Sequence, residues 1–257
     1  MGAAPPVSLI VVNRRTPLQT RLCLRSLRRY TPPGLAEVIA VDNASDDASL
    51  EYLRGLVWIR LIENRTGPPT HQHALDLGVA AARGRVIGVL HSDTFVRREG
   101  WLQALLQHMD EGVWIVGSPE RLILPVGPWS WPRLCYKRWR LRRRWRRLGR
   151  PPKLITHCAL YRRELFEEHG QRFDHPEWHR GMRQDCGEPI QRYCEAQGLG
   201  IRVLGREQLA PLLWHFEGAT LNAVNRRRLG LKRRLRAWRF YRRPEIRALL
   251  ADRTLDV

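Results

Sequence analysis

The chain has 257 residues, 43% of them hydrophobic, enough to bury a full core as one large domain or two small ones. Its 45 Lys and Arg against 25 Asp and Glu give a formal net charge of +20, which points to anionic partners: nucleic acid, an anionic membrane or a phosphorylated substrate. No window approaches 18 apolar residues, which argues against a membrane-spanning helix.

The five cysteines (23, 135, 158, 186, 194) show no metal spacing, so a reduced, cytosolic protein is the simpler expectation. The opening MGAAPPVSLIVV has neither the basic n-region nor the long apolar h-region of a signal peptide.

The elements follow in chain order. Val7 to Val12 is a β-branched apolar run, and Leu18 to Tyr30 has apolar residues at helical spacing. Glu37 to Val41 predicts a second strand, ending in DNASDDAS, where Ser45 or Asp46 suits the cap of a following helix. Val57 to Ile62 predicts a third strand, His71 to Ala82 a helix, Val86 to Leu90 a fourth strand, Trp101 to Met109 a helix and Val113 to Val116 a fifth strand. This alternation predicts βαβ units and a mostly parallel sheet, one half of a doubly wound α/β fold.

After residue 118 the pattern breaks. Thr156 to Tyr161 and Ile201 to Leu204 read as strands and Asp185 to Ala196 as a helix, while the tail from Asn222 reads as a basic helix interrupted at Pro244. The expected organisation is a nucleotide-side half over residues 1–117, an acceptor-side half over 118–221 with a basic insert at 133–153, and a basic tail over 222–257.

The positive charge is concentrated. Residues 133–153 hold eleven Lys or Arg and residues 226–243 hold ten, with no acid in either. The remaining 24 basic residues nearly balance the 25 acids, so the body is close to neutral. Leu134, Leu141, Trp145 and Leu148, then Leu231, Leu235, Trp238 and Tyr241, recur at helical spacing. Amphipathic helices of this composition suit an anionic membrane interface. The competing expectation is that their apolar faces pack on the domain and the arginines are simply solvated.

Two acids end predicted strands, Asp42 and Asp93, and Asp185 opens a late helix. Successive ends of parallel strands meet at one edge, where open α/β sheets bind ligands. Grouped carboxylates there suit Mg²⁺ or Mn²⁺ shared with substrate phosphates. The turn NRRTP after the first strand is not GxGxxG, and GxxxxGK[ST] is absent, which argues against dinucleotide and P-loop folds.

In order and spacing, the segments VSLIVVNRRTPLQTRLCLRSL, EVIAVDNASDDAS, ENRTGPPTHQHALDLGVAAARG, VLHSDTFVRREGWLQALL, THCALYRRELFEEHGQRFD, QDCGEPIQRYCEAQGLGIRVL and LWHFEGAT resemble the family 2 glycosyltransferases of GT-A fold, with rhamnosyltransferase-like members among them. The resemblance runs from about Val7 to Gly218. It implies a Rossmann-like α/β domain that moves a sugar from a UDP-, GDP- or dTDP-sugar to a saccharide or lipid-linked acceptor. The implied setting is cell-surface polysaccharide or glycolipid synthesis.

The same resemblance implies residue roles. Asp42 and Asn43 would contact base and ribose, with Asn43 standing where many relatives carry Asp. Asp93 would ligate Mn²⁺ or Mg²⁺, His91 and Ser92 would meet the ribose or diphosphate, and His215 would approach the metal. Asp185, preceded by Gln184 where Glu is common, would be the catalytic base. One base and direct displacement imply inversion.

Each residue has a structural competitor: a helix cap for Asp42 and Asp185, a turn for Asp93, and a packed histidine for His91 and His215. Asp76, where relatives often carry Asn, reads as helix packing or loop support. The competing functions are a nucleic-acid or anionic-surface binding protein without chemistry, which would not need both Asp93 and Asp185, and a nucleotidyltransferase, which would want a Gly-rich loop after strand one. The expected place is the cytoplasm, peripheral on the inner face of the cell membrane, with nucleic acid the less favoured partner.

Overall fold

The computed structural model describes residues 5–119, 152–175, 186–216 and 237–257, with scattered positions between 132 and 149. Seven strands form the main sheet: β1 (Val7–Asn13), β2 (Ala36–Asp42), β3 (Arg60–Glu63), β4 (Val86–His91), β6 (Val113–Ser118), β7 (Ile155–Arg162) and β8 (Gly200–Val203). A two-stranded ribbon pairs β5 (Thr94–Val96) with β9 (Leu213–His215).

The order across the sheet is β3-β2-β1-β4-β7-β6-β8. Pairings on the β3 to β4 side are all parallel, as is β6 with β8. Only β7 runs the other way, between β4 and β6. Its interior residues Thr156–Tyr161 are all buried, which explains why it reads as a continuous apolar run. The mostly parallel α/β sheet expected from the sequence is therefore present.

Helices α1 (Pro17–Tyr30), α2 (Ala48–Arg54), α3 (His71–Ala81), α4 (Trp101–Leu106), α5 (Glu164–Glu167), α6 (Glu188–Ala196), α7 (Arg206–Leu209) and α8 (Pro244–Ala251) surround the sheet. Two apolar layers result. One joins α1 (Leu22, Leu24, Leu27) to the β1 face carrying Leu9 and Val11; the other joins α3 (Ala74, Leu75) to the face carrying Ile10 and Val12. The alternation of β1 between the two layers is the period-2 signature of a strand. Gly84 lets the α3–β4 connection cross β1: a Cβ there would lie 2.6 Å from Ser8 N, whose Oγ accepts the Gly84 N–H at 2.8 Å.

Some boundaries differ from the sequence expectations. The third strand begins at Arg60, not Val57, which is 80% exposed. The helix from Trp101 stops at Leu106, three residues early. Asp47, rather than Ser45 or Asp46, caps α2 by accepting the Ser49 N–H at 3.0 Å. Ser45 is instead engaged with Asn13 and the Arg15 amide.

The end of the chain docks on α1 and α2. Phe240, Ile246 and Leu249 join the core. Arg25, only 3% exposed, donates through Nε to Asp256 Oδ1 at 2.8 Å and through Nη1 to the Leu249 carbonyl at 3.1 Å. Tyr52 donates to the same carboxylate at 2.8 Å. One guanidinium thus satisfies carbonyls at the end of α8, which no helical N–H can reach.

Of the face expected on the tail helix, Tyr241 packs against Phe216 and its hydroxyl accepts from Gln19, while Trp238 is 53% exposed. Leu231 and Leu235, and all four apolar positions expected on the 133–148 helix, lie outside the described residues. Pro244, expected as an interruption, opens α8, where its missing N–H costs nothing.

Candidate functional site

The carboxyl ends of β2, β1 and β4 finish level: Asn13 pairs with Asp42 and Val12 with His91. Asp42 and His91 are therefore two strand spacings apart, roughly 10 Å, on one edge of the sheet.

Asp42 is 2% exposed. Its Oδ1 accepts from Asn13 Nδ2 at 2.6 Å and its Oδ2 from the Ser45 N–H at 2.9 Å. Asn13 Nδ2 also lies within reach of Ser45 and Ser49 hydroxyls, and its Oδ1 accepts from Thr16 and Thr20. Asn43, 1% exposed, donates to the Thr70 carbonyl and accepts from Asn64 Nδ2 at 2.8 Å. Asn64 in turn accepts the Gly67 N–H. These residues tie together the three loops that follow β1, β2 and β3.

A second group forms where β4 gives way to β5. The β5–β9 pairing sets Thr94 opposite His215, and the Phe216 N–H donates to the Asp93 carbonyl at 2.8 Å. This short ribbon carries a histidine from residue 215 to within 3.1 Å (Nε2 to Oδ1) of the Asp93 carboxylate. Both residues are buried, at 7% and 5% exposed. Neither His215 ring nitrogen makes a hydrogen bond among the described residues, despite that proximity.

His91 completes the group. One potential ligand atom from each of His91, Asp93 and His215 lies within 4.8 Å of the others. The His91 ring is edge-on to His71 at 5.2 Å and to His215 at 5.6 Å, and Thr156 Oγ1 sits 3.2 Å from its Nε2. Burial, reinforced by His215 and opposed by Asp93, pushes the His91 pKa down to about 4. His157 stacks on the far face of His215 at 5.0 Å. Ser92 is buried, its Oγ 3.2 Å from Thr16 Oγ1, which links this group to the Asn13 network. Beneath it, burial and then Asp93 lift the Cys23 thiol far above its ordinary range, leaving it a small apolar side chain.

The sequence-derived residues thus fall into two neighbouring groups on one edge: Asp42 with Asn43, and His91, Ser92 and Asp93 with His215. Asp185 lies outside the described residues. Its chain neighbour Cys186 is 3.4 Å from the Thr156 hydroxyl that touches His91. Asp76 accepts the N–H groups of Phe173 and Asp174 at 2.8 and 2.9 Å and supports that loop.

Asn13, His71, Thr156 and His157 were not singled out from the sequence. Asn13 carried one signal, since it is polar at the end of a buried strand in the way Asp42 is. His157 sits inside an apolar run, where nothing but the partner strand reveals its direction.

The buried His215 and Asp93, with the partly buried His91, fit a divalent cation. The 3.1 Å between His215 Nε2 and Asp93 Oδ1 is short enough for both atoms to bind one cation. Buried ring nitrogens are costly unless paired; here Nε2 faces the Asp93 carboxylate and Nδ1 makes no hydrogen bond among the described residues.

Three solved structures share this architecture. A mannosyltransferase from Pyrobaculum calidifontis, in complex with GDP-Man and Mn²⁺, superposes with a TM-score of 0.58 at 19% identity over 79% of this chain and 55% of its own. S. aureus TarS in complex with UDP gives 0.55 at 14% identity over 95% and 68%. Glucosyl-3-phosphoglycerate synthase from Mycobacterium tuberculosis, in complex with phosphoglyceric acid, gives 0.51 at 18% over 77% and 69%. The chain spans about half the length of the mannosyltransferase. No curated protein matches it in sequence. Residues 8–170, well over half of the chain, match Glycosyl transferase family 2, and the chain belongs to that family.

Proposed function

We propose that this protein transfers a sugar from a nucleotide diphosphate sugar to an acceptor hydroxyl, with inversion, using a divalent cation. The observation that carries the reading is the group of partly buried His91 with buried Asp93 and His215 at the carboxyl edge of β4, where α/β sheets bind their ligands. The neighbours' bound GDP-Man with Mn²⁺ and bound UDP support it.

Asp93 and His215 would hold the cation, which when bound neutralises charge on the leaving diphosphate. The loops tied by Asn13, Asp42 and Asn43 would shape the base and ribose pocket; Asp42 and Asn43 would reach the nucleoside once their internal hydrogen bonds are shared. Ser92 would meet the ribose or the diphosphate. The Asp185 carboxylate would take the proton from the attacking hydroxyl, a general-base task.

The acceptor would be a saccharide or a lipid-linked sugar at an anionic membrane. Two features favour this. The basic segments 133–153 and 226–243 contain no acid, and Tyr136, Trp139 and Trp238 are large exposed aromatics beside arginines, with Arg143 over Trp139 and Arg242 over Trp238. Among the described residues no helix is long and apolar enough to cross a membrane, so such contact would be peripheral, on the cytoplasmic face.

The test is a thermal-shift panel of UDP, GDP, dTDP and CMP and their sugars, with and without Mn²⁺ or Mg²⁺. A ligand at a hundred times its dissociation constant adds about 2.7 kcal/mol, about five to ten degrees at this size. One base shifting the protein only with metal names the donor. Asp185→Asn should keep that shift and lose transfer; retained transfer assigns the base elsewhere. A folded protein silent to every donor overturns the reading.

A further inference from the structure

The sequence carries His91 where an oxygen ligand would favour the hard cations that serve phosphates. Its ring is partly buried. It is wedged between His71 on one side and His215 on the other, and Thr156 Oγ1 holds its Nε2 at 3.2 Å. Thr156 is itself anchored against Cys186 Sγ at 3.4 Å and is 2% exposed. Outer partners of this kind fix the ring orientation of metal-bound histidines. Across the group, His157 braces the His215 ring from behind at 5.0 Å with only 25° between planes. Each imidazole is thus braced by a neighbouring ring, and both lie close to the one Asp93 carboxylate.

We propose that His91 is a direct ligand, and that His91, Asp93 and His215 form a site with two nitrogens and one oxygen that prefers Mn²⁺, Co²⁺ or Zn²⁺ to Mg²⁺. The proposal rests on the metal-dependent reading above and adds which cation this chain selects. Mg²⁺ demands near-octahedral oxygen coordination and sheds water reluctantly. Imidazole suits Zn²⁺, Co²⁺ and Fe²⁺, and two histidines with one carboxylate make a three-ligand face with open positions for an incoming oxygen ligand. An aspartate at position 91 would leave the same face oxygen-rich and open to Mg²⁺. The side chain at 91 therefore sets the identity of the metal, while Asp93 and His215 set its place.

The experiment needs no sugar nucleotide, so it stands or falls apart from the donor panel. Calorimetric titration of the full chain with Mg²⁺, Mn²⁺, Co²⁺ and Zn²⁺ alone should give Co²⁺ and Zn²⁺ affinities at least about 100-fold above that for Mg²⁺. His91→Asp should shrink that ratio by about tenfold or more, and His91→Asn should lower Co²⁺ affinity about 10- to 100-fold. Pulsed electron paramagnetic resonance of the Mn²⁺-loaded wild type should count two coordinated imidazole nitrogens, falling to one in His91→Asp; this count on the wild type does not depend on how the variants fold. A single nitrogen in the wild type, Mg²⁺ binding as tight as Co²⁺, or unchanged Co²⁺ affinity in a folded His91→Asn protein would each overturn the assignment, while leaving any metal-dependent donor shift intact.

Discussion

Two polar groups lie about two strands apart on the same sheet edge and are differently satisfied. Around Asn13, the amide and the Asp42 carboxylate each meet several partners, all between 2.6 and 3.1 Å. Around His215, two buried ring nitrogens lack hydrogen bonds among the described residues, although a carboxylate oxygen is 3.1 Å away. The first group is closed and holds loops in place. In the second, the His215 ring has nitrogens without hydrogen bonds among the described residues, which a cation or a substrate can use. Buried polar groups that stabilise are paired; those left incomplete mark function.

Swapping the perturbations between the groups separates these roles. His215→Phe keeps a ring of similar size against His157 and removes only the nitrogens. It should lower transfer by at least about a hundredfold, far more than its stability cost of about 1–3 kcal/mol from the partner lost to the buried Asp93 carboxylate. Asn13→Ala should behave the other way, costing about 2–4 kcal/mol because a buried carboxylate loses its amide donor. Denaturant melts alongside transfer rates measure both. A large stability loss for His215→Phe would make that histidine part of the scaffold.

A smaller effect tests the seam between the tail and α1. Asp256→Asn keeps the shape but takes the charge from Arg25, whose guanidinium is 3% exposed. Because Asp256 itself retains 28% side-chain exposure, the loss should be about 1–2 kcal/mol, less than the 3–5 kcal/mol of a fully buried pair. Proteolysis should then cut the tail first, and an unchanged melt would show that Phe240, Ile246 and Leu249 alone hold it.

The contrast also explains what the sequence could reveal. Strands β1, β2 and β4 were legible because both faces are buried and their apolar runs end abruptly in Asn13, Asp42 and His91. Asp93 was legible for the same reason. The β7 strand was visible as a strand but not in its antiparallel direction, since a run buried on both faces looks the same either way. The ribbon of β5 with β9 was invisible, because three-residue strands carry too little periodicity to register. Yet that ribbon alone brings His215 to Asp93. In the tail, Trp238 and Tyr241 share a helical stripe, yet Tyr241 packs against Phe216 while Trp238 is 53% exposed.

Acid titration should resolve site from seam once more, in two windows. His91 is pushed from its ordinary 6.5 to about 4 by burial, by His215 and against Asp93. The unfolded chain therefore takes up a proton that the folded one refuses, and the stability tied to a neutral His91 drains away as pH falls from 6.5 towards 4. Burial tends to raise the Asp256 carboxyl, but Arg25 and Tyr52 outweigh it and hold it below its ordinary 3.8. Glu37, desolvated but bonded to Ser8 and Arg83, is likewise held down. Their contribution is complete only above their ordinary values of 3.8 and 4.5 and is lost as pH drops through their folded values. Asp76, lifted chiefly by burial, works in the opposite sense. The melting temperature should thus start to fall below pH 6.5 and steepen below 4. His91→Asn should flatten the upper part alone, and Asp256→Asn the lower part alone. Equal effects in both windows would mean that the two regions unfold as one titrating unit.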